Sequence, residues 1–530
     1  MRRFAIVAAV FASLFPALAE ERVDLDMVHR IKSEALENSK VMEHLFYLTD
    51  VYGPRVTNSP GFFGAADWVV KQLGEWGIPA HLEKWGPYGH GWNYTRFSAH
   101  LIEPQYAPLI GFPLAFTSGT SGPVTAEVVM ATLASEKDLE TWKGKLKGKI
   151  VLEGAPREVQ LNVQPLGRRY ADTDLSTLAL APQPTAPAPG GRGGPGGRAG
   201  AGPNPVQFQN QLAAFLREEA PAVVIRGGAG RSEAGTVFGQ GAQRDPKQAP
   251  LPPMAVLTPE HYNRIARLLD HKIPVKMEFD IRTNTDERMD SVNVSGQIDG
   301  GRKKDEIVMI GAHLDSWQGG TGATDNAAGS AVMIETMRIL KTLNLKLDRS
   351  VRIALWSGEE QGLLGSRAYV KEHFGDRETM KLGPEHAKLS GYFNVDNGSG
   401  KIRGVYLQGS DMMRPVFEAW LKPFADQGVS TISIRNTGGT DHLSFNDVGL
   451  PGFQFIQDPL DYDSRTHHSN MDVYDEVRAS DLMQASAVVA WVVYEAANRE
   501  DMLPRPPLPK PRPQNNDAGG RGGAPTGSSN

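Results

Sequence analysis

The 530-residue chain contains no cysteine. That absence removes thiol nucleophiles, thiolate zinc sites and disulfide staples together, so any metal must be held by His, Asp and Glu. An excess of positive charge is lacking too. Lys and Arg number 56 against 61 Asp and Glu, a formal net charge of −5, which argues against nucleic acid or an anionic membrane as partner. No apolar run reaches the roughly 20 residues that a bilayer span needs. The opening MRRFAIVAAVFASLFPALAE comes closest, but Arg2, Arg3, Pro16 and Glu20 interrupt it. Two arginines, an apolar stretch and Ala17-Leu18-Ala19 read instead as a secretory signal peptide, residues 1–19. The expectation is an exported protein, periplasmic or extracellular, with no membrane span.

A chain of this length exceeds one ordinary domain. Residues 24–50 carry a helical pattern, GPRVTNSPG marks a turn, and GFFGAADWVVKQLGEWG returns to helical spacing. From about 107 the texture changes to short strands separated by turns (PVTAEVVMA, GKIVLEG, AAVVIRGG), up to VLTPEHYNRIARLLDH with Thr258 as a helix cap. Residues 107–278 are therefore expected to form a β-rich domain inserted between two parts of another, 20–106 and 279–502. Within the insert, 183–206 (PQPTAPAPGGRGGPGGRAGAGPNP) is too poor in apolar residues to pack and is expected to be disordered. The same expectation holds for the Pro-, Gly- and Arg-rich tail 503–530. After 285, strands (EIVMIGAH, SVRIALWS, SGYFNVD, GVYLQGS, GFQFIQD) alternate with helical patterns. That alternation predicts an α/β fold with a mostly parallel central sheet flanked by helices.

The strands converge on one inventory. EIVMIGAH ends in His313, with Asp315 two residues on and Asp325 twelve residues on, across the glycine-rich SWQGGTGAT. SVRIALWSGEE ends in Glu359-Glu360, SGYFNVD ends in Asp396, and the loop after GFQFIQD carries His467-His468. Taken singly each has an ordinary explanation: Asp325 as cap of the helix that begins near 326, the Glu pair as a solvated step, the His pair as loop polarity. Together they supply what a two-metal hydrolytic site needs, in a sheet whose carboxyl ends are where ligands bind. His313 and Asp396 suit one ion, Glu360 and His468 the other, and Asp325 can bridge. Such N/O donors suit Zn²⁺ and leave room for water. Asp315 is placed to orient the His313 imidazole. Side chains of adjacent residues at a strand end point oppositely, so Glu360 can ligate while Glu359 acts as the general base.

GAHLDSWQGGTGATDNAAG, LWSGEEQGLLGS, FNVDNGSG and HHSNMDVYD together resemble the co-catalytic di-zinc exopeptidases, the family of bacterial leucyl-type aminopeptidases and glutamate carboxypeptidases. HLDSW with the twelve-residue step is most similar to the plasma glutamate carboxypeptidase (carboxypeptidase Q) branch. The similarity spans about 40–105 and 280–500, and the inserted section resembles a protease-associated domain. The resemblance implies two Zn²⁺ held by His313, Asp325, Glu360, Asp396 and His468, with Glu359 as catalytic acid/base. It also selects His468 over His467, because the family's ligand precedes a Ser/Thr and a later acid. GGTDHLSF resembles a loop near the substrate pocket, making Asp441 and His442 candidates for substrate contact or loop anchoring. The implied activity is hydrolysis of peptides by an aminopeptidase, with a carboxypeptidase or dipeptidase as the alternative. Arg435 and Arg465 are candidate clamps for a substrate carboxylate. A single-zinc glutaminyl cyclase and a metal-free binding protein are the more distant readings. The insert is expected either to restrict access to short peptides or to mediate a homodimer.

Overall fold

The computed structural model describes residues 21, 23–159, 161–184, 205–228, 235–242, 244 and 247–512. The proposed signal peptide, most of 183–206 and the tail beyond 512 lie outside the described residues. Two eight-stranded sheets organise the chain.

The first sheet runs, in spatial order, Ala80–Trp85, Ser291–Ile298, Arg349–Trp356, Lys303–His313, Leu389–Asn394, Gly452–Gln457, Ile402–Tyr406 and Thr431–Ser433. Its centre is parallel, from Arg349–Trp356 through to Gly452–Gln457. Both faces are buried, which is why these strands read as unbroken apolar runs. On one face Val308, Ile310 and Ala312 pack with the helices Ala328–Thr342 and Ala479–Asn498. On the other, Ile307 and Met309 pack with Trp356, Tyr369 and Phe445.

The second sheet runs Ala107–Pro108, Trp92–Glu103, Lys276–Thr285, Val124–Ala131, Ile150–Glu153, Val223–Gly227, Met254–Leu257 and Gly111–Pro113. It is wider than the expected 107–278. Trp92–Glu103 and Lys276–Thr285 pair with each other along nearly their whole length, so the chain enters this sheet before 107 and leaves after 278. Gly91 and Pro104 flank the first of these strands and Pro274 precedes the second, but no local signal tells that the two pair with each other. A second correction concerns the start of the tail. Leu503 is only 2% exposed and belongs to the main core. Arg505 donates to the carbonyls of Ala387 and Leu389, and Arg512 pairs with Asp447 at 3.0 Å. A proline-rich segment lies extended at little entropic cost, and these side chains anchor 503–512 to the surface.

Candidate metal centre

Strand register brings the predicted residues to one edge. His313 pairs with Trp356, and Gly311 pairs with Asn394. The turns after these strands thus start level with each other, delivering His313, Glu359-Glu360 and Asp396 beyond the carboxyl ends of the sheet. Gly452–Gln457, in register with Leu389–Asn394, leads into the loop that returns His467-His468.

Asp325 sits between two imidazoles. Its Oδ1 lies 3.2 Å from His313 Nε2 and its Oδ2 lies 3.0 Å from His468 Nε2. Asp396 Oδ1 approaches His313 Nε2 to 3.3 Å, and Glu360 Oε2 approaches His468 Nε2 to 3.0 Å. Glu359 Oε2 stands 4.0 Å from His313 Nε2. His467 lies beside the site too, 3.6 Å from Asp325 Oδ2 and stacked on Tyr462. His468 is nearer to Asp325 and also meets Glu360. His313, Asp325 and Asp396 form one group of donor atoms within 4.8 Å of each other, and Asp325, His467 and His468 form another.

The surrounding loops explain why these side chains stay in place. Gly320 is needed because a Cβ there would lie 2.5 Å from the Asp472 carbonyl, and Gly322 adopts φ +68°. Arg55, fully buried, donates to the carbonyls of Leu48, Leu314, Thr321 and Gly322. Asp472 accepts from Thr324 Oγ1 at 2.8 Å.

Two expectations change in detail. Asp325 does not cap the following helix: its φ/ψ is −133°/87°, the helix begins at Ala328, and Asn326 Oδ1 accepts from Gly329 N instead. The Asp325 carboxylate is committed to the imidazoles. Asp315 orients His313 through its backbone carbonyl, 2.9 Å from Nδ1, with its carboxylate 3.7 Å away. That carboxylate accepts from Thr57 Oγ1 and from the main-chain N–H groups of Glu359 and Glu360, so it holds the Glu pair. Asp441 is fully buried beside Ser366, close enough to Glu359 for its charge to raise that carboxyl. His442 turns towards Gln408 and the Thr437 carbonyl, the geometry of a loop anchor. Arg465 is already paired with Glu476 at 3.3 Å, and Arg435 is exposed.

Gln240, Trp317 and Arg55 have no counterpart among the residues singled out from sequence. Gln240 Nε2 lies 2.7 Å from His468 Nδ1, and Trp317 meets the His468 ring edge-on. Gln240 lies in GQGAQRD, 228 positions from His468, where no local pattern points to the site.

A model described as "Peptidase family M28" matches residues 293–493, the stretch that supplies every residue of this constellation. Residues 293–493 are thus similar to peptidase family M28. The chain is accordingly a metallopeptidase. Carboxypeptidase Q of Mus musculus is 26% identical over 471 residues, covering 87% of each chain. Aminopeptidase YwaD of Bacillus subtilis is 30% identical over 204 residues, 37% of this chain and 43% of that one. The crystal structure of a peptidase M28 precursor from Shewanella amazonensis shares the fold, with a TM-score of 0.64, 24% identity, and coverage of 92% of this chain and 98% of that one.

The electrostatics of the M28 site are those of donors short of cations. Burial raises Glu359, Glu360 and Asp396, and the neighbouring carboxylates Asp396, Asp325 and Asp441 reinforce the shift. Glu360 reaches about 7. Burial alone would lower His313 and His468, yet the same carboxylates outweigh it, holding His313 well above its usual value and His468 at about 10. Glu360 Oε1 is buried without a hydrogen-bond partner, which is costly unless something else meets it. Four carboxylates gathered on two imidazoles in a buried pocket need positive charge. The donor set fits divalent metal of the zinc type, with N and O ligands only.

Proposed function

We propose that the chain is an exported zinc exopeptidase with a co-catalytic pair of ions. The observation that carries this reading is Asp325, which offers one oxygen to His313 and the other to His468. His313 and Asp396 would hold one ion, His468 and Glu360 the other, with Asp325 shared between them. Bound zinc supplies Lewis-acid polarisation of a scissile carbonyl and eases deprotonation of water near neutral pH. Glu359 takes the proton from the attacking water and returns it to the leaving amine. Asp315 fixes the main chain under both glutamates, so that Glu360 turns to His468 while Glu359 faces the other half of the site. The second domain, read as a protease-associated module, closes one side of the site and restricts it to short peptides. Export is supported by the opening segment; among the described residues no helix is long and apolar enough to cross a membrane.

The bacterial-type export signal favours an aminopeptidase, and the likeness to aminopeptidase YwaD supports that reading. A second reading, a carboxypeptidase or dipeptidase, is favoured by Arg244. Its guanidinium stacks 3.7 Å from the Tyr88 ring centre and lies 5.4 Å from that of Phe116. Tyr88 bonds Gln361, the neighbour of Glu360, and Phe116 packs on Trp317. Among the described residues Arg244 meets no carboxylate, so it can receive one from a substrate. The likeness to carboxypeptidase Q over 87% of each chain points the same way.

The test is hydrolysis of matched dipeptide sets, N-terminally blocked or C-terminally amidated, with zinc counted on the same sample. Cleavage of only the amidated set establishes an aminopeptidase. Cleavage of only the blocked set establishes a carboxypeptidase, and cleavage of free dipeptides alone a dipeptidase. No hydrolysis with fewer than two zinc ions bound overturns the reading and favours a cyclase or binding protein.

A further inference from the structure

Both imidazoles of the site have a second nitrogen, and the two are served differently. His313 Nδ1 faces the carbonyl of Asp315, two residues along its own chain. His468 Nδ1 faces the side chain of Gln240, from the other domain, at 2.7 Å. An imidazole that gives its Nε2 lone pair to a metal carries its remaining proton on Nδ1, so whatever faces Nδ1 must accept a hydrogen bond. The carbonyl behind His313 can only accept. The amide of Gln240 can do either, depending on which way it is turned, and its two ends are nearly indistinguishable in shape. With Nε2 towards the ring it suits only an imidazole that has no proton on Nδ1; turned over, its Oε1 accepts from Nδ1–H.

The main chain around Gln240 is built to hold it there. Gly239 N donates to the His468 carbonyl at 3.0 Å, Asn470 N donates to the Val237 carbonyl at 3.1 Å, and Val237 N donates to Asn470 Oδ1 at 2.7 Å. Phe238 and Ser469 form an antiparallel bridge. The Gln240 carbonyl accepts from Gln318 Nε2, which ties it to the glycine-rich loop before Asp325. His468 itself sits at φ +60°, which is uncommon for a non-glycine residue, and the clasp from the second domain bonds the main chain at His468 and on its C-terminal side.

We infer that Gln240 is a positioning residue for His468: its amide oxygen accepts the Nδ1 proton, fixing the ring so that Nε2 faces Asp325 and Glu360. The second half of the metal centre is thereby completed by the other domain. This rests on the zinc reading above and extends it to a residue outside the M28 segment.

The test compares wild type with Gln240→Leu and Gln240→Glu, measuring zinc stoichiometry and affinity by chelator competition, with Tm recorded in excess chelator. Gln240→Leu keeps the bulk but accepts nothing, and should weaken one zinc site of two by about 10–100-fold, the usual cost of losing a residue that orients a metal ligand. Gln240→Glu can only accept, and should bind both ions as tightly as wild type. Retention of both sites by Gln240→Leu overturns the inference. So does weakening by Gln240→Glu, which shows that the amide donates; this second variant decides the matter even where Gln240→Leu fails to fold. Fewer than two zinc ions on the wild type would instead sink the underlying zinc reading, independently of either variant.

Discussion

Arg55 offers a quantitative test of how the metal-side loops are held. Its side chain is fully buried and donates to four carbonyls, those of Leu48 at 2.6 Å, Leu314 at 2.7 Å, Thr321 at 2.8 Å and Gly322 at 2.9 Å. It thus joins the end of an N-terminal helix to both ends of the segment between His313 and Asp325. Burial lowers its pKa to about 10, with Asp472, Asp315, Asp325 and Glu360 opposing that fall, so it is charged at neutral pH. Arg55→Met keeps the length and strips the donors. At about 1 kcal/mol for each carbonyl left without a partner, the loss is about 4 kcal/mol, inside the 3–5 kcal/mol typical of breaking a buried charged contact. For a cooperative unit of roughly 300 residues this corresponds to a fall in Tm of about 6 °C. Calorimetry in excess chelator reads the effect without the stabilisation that bound zinc adds. Arg55→Lys restores the charge but not the fork of donors, and should recover about half. A Tm for Arg55→Met within 1 °C of wild type, on the scale of a near-neutral surface change, would refute the reasoning.

Glu359→Gln should lower kcat by about 10²–10⁴-fold while zinc per chain stays unchanged; a fully active variant removes Glu359 from its assigned role. Glu495 is raised to about 8 by burial, with Glu21 and Asp24 adding to it. Its contribution to stability is therefore complete below the ordinary carboxyl range and is lost as pH rises through 8. Glu495→Gln, neutral throughout, should match wild type in Tm at pH 4.5 and exceed it increasingly towards pH 8.5; a constant difference contradicts this. Deleting 513–530 should leave Tm unchanged. Deleting 503–530 also removes buried Leu503 and should cost about 3 kcal/mol, whereas equal Tm values for the two truncations would show that 503–512 contributes nothing.

What was legible in the sequence follows from locality. The strands through Val308, Val351 and Phe393 announce themselves because a parallel strand covered on both faces must be apolar throughout. His313, Asp396 and Glu359-Glu360 are legible because each follows such a strand directly, so a sequence position translates into a place in the fold. The extent of the second domain was not legible, since Trp92–Glu103 finds its partner only at Lys276–Thr285, far along the chain. Nor was the start of the tail, where proline content hides the burial of Leu503. Gln240 carries no signal at all: its importance lies in a contact across 228 positions, and no spacing rule reaches that far. Asp325 shows the reverse error. Its place before a helix suggests a cap, and only the backbone reveals that Asn326 has taken that duty.

The last pair of the strand ladder between Ala80–Trp85 and Ser291–Ile298 matches Trp85 with Ser291. The chain therefore leaves the peptidase sheet and re-enters it at facing positions, and residues 86–290 occupy the place of a hairpin turn. Closing so long a loop costs little more than closing a short one, about 0.6 kcal/mol for each doubling. Here even that is offset, because the pairing of Trp92 with Thr285 within the second domain already brings the loop's two ends together. An excursion of this kind can be acquired, enlarged or exchanged without changing the order of the strands that hold it. Once its far side supplies a partner to His468, however, it is no longer a removable ornament: a hairpin cut back to a short turn would keep the sheet and lose a wall of the site.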